Sequence, residues 1–511
     1  MPIIGKLFKK SSEFSFKRNV KKGRKYTNQL RALYKLLAKA QETNFGNKHN
    51  FQTILYSKKL VKEYQKNVPI THYEEFLTNW LHKSMEGEKN HTWPGRINFY
   101  ALSSGTTGSP SKRIPVTKQM IRSFQKTSVS QISTLYKLDL SDDFYNAKLL
   151  VVGGSSNLKK IGKRFEGDLS GILKKHTSFI FNPLTKPNNN ITKITDWNKK
   201  LEKIIEKAPS WDIGIVAGVP SWCLMLIEKI VERYNLNSIH DIWPNFEVYM
   251  HGGVFMQPYT SRLDKVIDKK VFLLDTYLAS EGYFAYQTSP EKEGMQLLLE
   301  NGIFYEFIPF TSDYFTEDGS VKDKFKAYSI AEVIVGVEYA MVISTNAGLW
   351  RYLIGDLVKF IDTEKYEIKI TGRIQQYLSL AGEHLSLENI NSAITVVCSK
   401  MSIDIPEFTI YADLSALHHS WFIGSNNDVN NEVLIAEIDE ALCAVNDDYK
   451  TCRNHNLNSP TITVFSPSLF YEFLDSIGKS GSQNKFPRVM NDEQAILWKD
   501  FLVTNEPNIL K

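Results

Sequence analysis

Between Leu102 and Thr117 the chain reads L-S-S-G-T-T-G-S-P-S-K-R-I-P-V-T. Four hydroxyl side chains, Ser103, Ser104, Thr106 and Thr107, surround Gly105 and Gly108, and two cations, Lys112 and Arg113, follow. Glycines let a backbone turn its N–H groups inward, hydroxyls add donors, and cations neutralise charge; a phosphate chain needs all three. The common nucleotide loop G-x-x-x-x-G-K-[ST] is not met, because five residues after Gly105 stands Pro110. The competing reading of so short a stretch is a Ser/Gly turn with no ligand.

Other segments carry chemistry of a matching kind. Tyr277–Glu281 (Y-L-A-S-E) follows a run of buried-strand type, Val271–Leu274. A carboxylate there, beside the small residue Ser280, is placed to hold a Mg²⁺ ion that bridges phosphates. In L-W-R-Y-L-I-G-D-L, Asp356 follows a glycine, where a carboxylate can approach a ligand and accept two hydrogen bonds from a diol. Arg351 in the same run reads as an internal salt-bridge partner. M-H-G-G, ending at Gly253, would let backbone approach a flat ligand such as adenine. Near the C-terminus, G-K-S-G-S-Q-N-K-F-P-R offers Lys485, with Lys479 a weaker competitor.

In this order the motifs resemble those of adenylate-forming enzymes, which activate a carboxylic acid as an acyl-AMP. Ser111 stands between Pro110 and Lys112, and this resembles one branch, the auxin-responsive acyl-acid amido synthetases of plants and their bacterial relatives, S-S-G-T-[ST]-x-x-x-x-K-x-I-P. The resemblance implies a ligase that uses ATP and Mg²⁺ to adenylate an acid and then passes the acyl group to an amine, an amino acid, to form an amide. Ser103, Ser104, Gly105, Thr106, Thr107 and Lys112 would hold phosphates, Tyr277 would lie against adenine with Ser280 and Gly253 nearby, and Glu281 would serve the metal. Asp356 would grip the ribose, Arg373 would contact the nucleotide, and Lys485, in a Q-x-K-x-P-R context, would be the catalytic lysine bridging carboxylate and α-phosphate. Gly372–Glu388 is similar to the superfamily's hinge signature, with Gln375 and Gln376 in place of its usual acidic pair and Gly382 as a turn. Two alternatives stay open: thioester formation of the acyl-CoA synthetase kind, and a nucleotide binder without turnover.

The elements that must position these residues are of α/β type. Strand-like runs at Lys148–Val152, Ile213–Ala217, Phe246–Met250, Val271–Leu274, Ile303–Ile308 and Glu332–Val337 alternate with helical periodicity at Trp197–Glu206 and Ser221–Tyr234. Lys186–Asn190 reads as a turn. The resemblance implies a large N-terminal adenylate-forming domain of mixed sheets and helices, residues 1–374, and a smaller mobile α+β domain, residues 375–511. Val219, Pro220, Trp222 and Met225 begin a helix that either lines an apolar acyl pocket or is core. His49 reads as structural.

Composition sets the outer limits. With 511 residues the chain is too long for one small core, and 12% aromatics with ordinary Gly and Pro exclude low-complexity disorder. Four scattered cysteines without a C-x-x-C pair argue against a disulfide framework and for a cytoplasmic setting. The net charge of +6 conceals a basic start: residues 1–40 hold twelve Lys/Arg against Glu13 alone. Leu30, Leu33, Leu37 and Ala40 at helical spacing make this a solvated helix rather than an arm for nucleic acid or membrane, so neither is expected as a partner. The longest uncharged run, Ile213–Ile227, is too short to span a bilayer. The acid, the amine and the oligomeric state stay undefined.

Overall fold

The computed structural model describes residues 26–103, 112–177, 182–316, 319–374, 378, 380, 383, 385–455, 457–479 and 485–505. Ser104, Gly105, Thr106 and Thr107 of the hydroxyl-rich loop, Gln375, Gln376 and Gly382 of the hinge signature, and the first 25 residues lie outside the described residues.

Strands β1 (Phe99–Leu102) and β2 (Arg113–Val116) lead into and out of the hydroxyl-rich loop. They are followed by β3 (Lys148–Val151), the pair β4 (Lys159–Ile161) and β5 (Arg164–Gly167), and the short β6 (Thr185–Lys186). Next come β7 (Ile213–Gly218), β8 (Val248–Gly252) and β9 (Phe272–Ala279), then β10 (Gly282–Tyr286), β11 (Met295–Leu297), β12 (Ile303–Pro309), β13 (Glu338–Thr345), β14 (Tyr352–Asp362) and β15 (Glu367–Arg373). The last four are β16 (Glu407–Asp413), β17 (His418–Gly424), β18 (Thr461–Phe465) and β19 (Val489–Met490).

These strands make an eleven-stranded mixed sheet, β12-β13-β14-β15-β11-β10-β9-β8-β7-β3-β6, and two four-stranded sheets, β2-β1-β5-β4 and β18-β17-β16-β19. Within the large sheet β6, β3, β7, β8 and β9 run parallel. Strands buried on both faces read as apolar runs, as I-G-I-V-A does in β7. Open parallel sheets bind ligands beyond the carboxyl ends of their strands. Here those ends carry glycines, Gly153 after β3, Gly218 in β7, and Gly252 and Gly253 at β8, so the crevice floor is bare backbone.

The helices follow local signals. Asp196 accepts from the Lys199 N–H at 2.8 Å and caps Trp197–Lys207, and Pro220 opens Pro220–Arg233 at a position where its missing N–H costs nothing. The expected turn at Lys186–Asn190 is reduced to Pro187 and Asn188, between β6 and the one-turn helix Asn189–Thr192; the Lys186–Pro187 bond is cis and Asn188 caps the helix.

Two expectations need correction. Glu332–Val337 is a turn, and the strand starts at Glu338. Gly336 takes φ +84°, its N–H bonds Phe360 O, and Ile334 and Val335 stand 60% and 52% exposed, so β-branched residues there decorate a loop. The first helix, Tyr26–Ala40, is not simply solvated: Leu33, Leu36, Leu37 and Ala40 are buried. Gln29 in it donates to Leu299 O (3.1 Å) and Ile303 O (3.0 Å) and accepts from Tyr305 N (2.9 Å). Lysines occupy the opposite face, as an amphipathic pattern requires.

One hydrophobic cluster joins the parallel strands to the last sheet. It holds Trp197, Trp222, Ile227 and Tyr249 together with Phe422, Phe465, Phe470, Phe486 and Trp498. Among the described residues no helix is long and apolar enough to cross a membrane.

Candidate active site

The base of the hydroxyl-rich loop is closed by a backbone bond from Ser103 N to Lys112 O at 3.0 Å. Lys112 Nζ stands 5.4 Å over the Tyr73 ring, whose hydroxyl accepts from the Arg113 N–H at 2.6 Å. Ser103 and Lys112 both face the large cavity described below. Arg113, by contrast, directs its Nε at both oxygens of Glu166, each 3.2 Å away, so the second cation of the motif ties β2 to β5 across β1.

Ser280 and Glu281 form the two-residue turn between β9 and β10 and are 8% and 7% exposed. Burial, reinforced by the Asp356 charge, raises the Glu281 pKa above its ordinary value, and Lys112 pulls the other way. Cross-strand pairing of β14 and β15 sets Asp356 opposite Arg373. Asp356 Oδ1 accepts from Arg373 Nε at 2.7 Å, and its Oδ2 accepts from the Tyr277 hydroxyl at 2.6 Å. The expected adenine platform thus has its hydroxyl committed to Asp356, with Tyr277 5% exposed and its ring 4.8 Å from that of Phe284. Each oxygen of Asp356 keeps a second lone pair for a diol. Arg373 pairs with Asp356 while 52% of its side chain remains accessible.

Arg351 is structural. Held at φ +41°, it forks onto Glu306 (3.0 and 2.9 Å) and donates to Gln65 O and Val68 O. His49 bonds Asn67 O at 2.8 Å, away from the site.

Lys485 reaches this cluster from the C-terminal part of the chain. Its Nζ donates to Gly253 O at 2.6 Å. Burial, aided by the neighbouring Arg373 charge and opposed by Asp356, pushes its pKa down to about 8. Gly253 sits at φ +86°, and a Cβ there would collide with the lysine ammonium. The glycine therefore makes room for Lys485 as well as for any ligand. Lys479 lines the same cavity, with its pKa lowered by burial.

Arg113, Arg351 and His49 apart, the motif residues described above border one cavity of about 1490 Å³. Single drug-sized ligands occupy about 300–1,000 Å³, so the space suits a nucleotide and a second molecule together. Glu281, Asp356, Arg373 and Lys485 cluster at one end, and Ile132, Val152, Val219 and Met250 add apolar lining, Val219 beside Gly253 and Lys485. Val219 faces the cavity, whereas Pro220 and Trp222 are buried and Trp222 packs on Trp197 at 5.2 Å. As for the metal, no group of three or more His, Cys, Asp or Glu gathers among the described residues. A lone buried carboxylate fits Mg²⁺, which keeps several waters and is bound through one or two carboxylates plus substrate phosphates.

Models of the GH3 family N-terminal, central and C-terminal domains match residues 20–202 with 163–272, 296–373 and 388–494. The chain belongs to the GH3 family. Among curated GH3 relatives, a probable indole-3-acetic acid-amido synthetase of Oryza sativa subsp. japonica is 27% identical over 248 residues, 44% of this chain and 42% of that one. A 4-substituted benzoates-glutamate ligase of Arabidopsis thaliana is 26% identical over 306 residues, 53% and 51% of the two chains. The chain thus spans about half the length of the curated relatives it matches. Among solved structures, GH3.15 acyl acid amido synthetase superposes with a TM-score of 0.76 at 18% identity, covering 93% of both chains. A 2-hydroxyisobutyryl-CoA ligase in complex with 2-HIB-AMP gives 0.60 at 12% identity, covering 94% and 91%. This GH3 chain therefore has the fold of adenylate-forming enzymes.

Sequence reasoning missed part of the site. Lys174, Lys186 and Lys200 also line the cavity. Lys200 is 3% exposed, donates to Gly153 O at 3.1 Å, and has its pKa lowered to about 8 by burial. A signal for it was present: in the helix Trp197–Lys207 it stands on the apolar stripe with Trp197, Leu201 and Ile204. Tyr73 carried no such signal.

Proposed function

We propose that this GH3 protein activates a carboxylic acid with ATP·Mg²⁺ as an acyl-adenylate, releasing pyrophosphate, and then passes the acyl group to an amino acid, forming an amide and AMP. The supporting observation is the meeting of Lys485 with Asp356, Arg373 and Glu281 at one end of a cavity too large for a nucleotide alone. The reading gives Ser103 and Lys112 to the phosphates, with Ser104, Gly105, Thr106 and Thr107 in the same role by motif. It gives Asp356 to the ribose, with Tyr277 fixing that carboxylate, and Arg373 and Ser280 to the nucleotide surroundings. Glu281 would hold Mg²⁺, which supplies charge neutralisation on the phosphates.

The acid's carboxylate oxygen attacks the α-phosphorus, and the bond from that phosphorus to the pyrophosphate oxygen breaks. Negative charge grows on the oxygens around phosphorus, and a lysine ammonium aimed there stabilises it. Gly253 O fixes where the ammonium stands before ligands arrive. The amine then attacks the acyl carbonyl, AMP leaves, and the amine's proton passes to solvent. The nearest rival is a thiol acceptor, giving a thioester. Residues 1–374 and 375–511 are read as the two domains, and four free cysteines among the described residues suit a cytoplasmic location.

The test is pyrophosphate release from ATP·Mg²⁺ against a panel of carboxylic acids, with and without mixed amino acids or coenzyme A. Release that depends on one acid and rises with an amino acid supports the proposal. Acceleration by coenzyme A alone overturns the amide half, and ATP binding without release across the panel favours a nucleotide binder.

A further inference from the structure

Three residues after Lys485, Arg488 is buried at the junction between the last sheet and the parallel strands. Its Nη1 donates to Glu407 Oε2 (2.9 Å) and Phe408 O (3.0 Å). Its Nη2 donates to Pro406 O (3.3 Å) and to the Tyr259 hydroxyl (3.0 Å). Glu407 and Phe408 open β16, but Tyr259 comes from the other side of the junction, six residues beyond Gly253. The Tyr259 hydroxyl donates in turn to Glu407 Oε1 at 2.8 Å, and Tyr471 donates to the same oxygen at 2.9 Å. Tyr259 is 1% exposed and Glu407 4%.

Two short segments therefore face each other, 253–259 and 485–488, tied at both ends. Lys485 meets Gly253 at one end, and Arg488 meets Tyr259 at the other. Between them Phe486 is plugged into aromatic rings, 4.6 Å from Phe470 and 4.9 Å from Trp498. A single phenol closes the far tie, accepting from a guanidinium and donating to a carboxylate. Both hydrogen bonds involve a charged partner and neither competes with water, which puts them among the stronger kind. Another bridge across the junction, Lys265–Asp404, has a lysine 66% exposed and is screened.

We propose that Tyr259 is a positioning residue: its hydroxyl, set between Arg488 and Glu407, latches the C-terminal sheet onto the parallel strands in the orientation that seats Lys485 on Gly253. Loss of the latch lets the segment 485–488 lift, and Lys485 leaves its carbonyl. The consequence for turnover rests on the adenylation reading above; the placement of Lys485 does not.

Arg488 and Glu407 are poor probes, because removing either leaves the other's charge buried and unpaired. Tyr259→Phe keeps the ring and the Arg488–Glu407 pair and deletes only the hydroxyl. The readout is the rate at which an amine-acylating reagent modifies each lysine of the full chain near pH 8, followed by peptide mass spectrometry, with no substrate added. Lys200, 3% exposed and bonded to Gly153 O rather than to either tied segment, reports loosening of the fold as a whole. Tyr449→Phe is the control, since Tyr449 is equally buried and its hydroxyl donates to Asp439 within the C-terminal unit.

The expected result is a rise of about five-fold or more in Lys485 modification in Tyr259→Phe, with Lys200 unchanged and no such rise in Tyr449→Phe. Unchanged Lys485 reactivity overturns the latch. A rise shared with Lys200, or matched by Tyr449→Phe, overturns it as well, because the hydroxyl would then serve stability alone. Once an acid is identified, Tyr259→Phe should lower kcat for pyrophosphate release while leaving the KM for ATP in place. Failure of the labelling test removes the latch without touching the adenylation proposal.

Discussion

In the proposed adenylation Lys485 would act as a cation, and its surroundings make that cation easy to deprotonate. Burial and Arg373 lower its pKa to about 8 while Asp356 opposes them. The charged form therefore predominates below about pH 8 and is lost above it. For the free enzyme, kcat/KM of pyrophosphate release should be flat below that value and fall about tenfold per pH unit above it. Lys485→Arg, whose guanidinium does not titrate there, should remove that alkaline limb even if the absolute rate drops; an unchanged limb would take Lys485 out of the profile. Lys485→Ala should cut adenylation by orders of magnitude and leave ATP affinity nearly intact. Asp356→Ala acts at a different step. It strips partners from Tyr277 and Arg373 and removes the proposed diol acceptor, so nucleotide affinity should fall by about tenfold or more in equilibrium titration. Unchanged affinity would refute the ribose assignment. These residues were legible because each sits in a contiguous motif, in order along the chain. Tyr259 and Glu407 were not, and Arg488 was visible only as the end of Q-x-K-x-P-R, since their joint chemistry exists only where three distant segments meet.

At the scale of elements, the crevice depends on parallel strands whose ends are glycine and on a frame that holds them still. I-G-I-V-A and K-L-L-V-V announced β7 and β3 by apolar runs, and Trp197–Glu206 announced its helix by period. A-E-V-I-V-G carried the same strand composition and is a turn: Gly336 at φ +84° breaks the run, and of its β-branched residues only Val333 reaches the core. β-Propensity states only that residues suit a pleated surface; it does not say one is available. The first helix shows the converse. Its leucines were readable, but nothing local marked Gln29 as the partner of three backbone groups near β12. Gln29→Leu keeps the apolar contacts and strands two carbonyls and an N–H. It should cost about 2–4 kcal/mol in urea denaturation, from unsatisfied buried backbone groups. A loss below about 0.5 kcal/mol would mean that water replaces the glutamine.

The whole molecule raises the question of whether the C-terminal sheet folds as a separate body or as part of one. Trp498 is fully buried and stacks with Phe470 at 5.2 Å and Phe501 at 5.8 Å, and its cluster runs on without a break to Trp222, Ile227 and Tyr249 beside β7 and β8. A core shared in this way couples the two halves, because neither can expose its face without stranding the other's. The cavity is shared too, with Glu281 and Asp356 supplied by one half and Lys485 by the other. Ligand binding to such a site stabilises both halves by RT ln(1 + [L]/Kd), about 2.7 kcal/mol at a hundred times Kd. Calorimetry should then show one principal transition whose Tm climbs with the logarithm of ATP·Mg²⁺ concentration. In Asp356→Ala the climb should shrink, because the affinity that drives it is lost. Two transitions in the free protein, with only the larger responding to ATP, would mean that the aromatic cluster does not bind the halves together. Lys485 would then be presented to the nucleotide by a loosely held unit rather than by a single core.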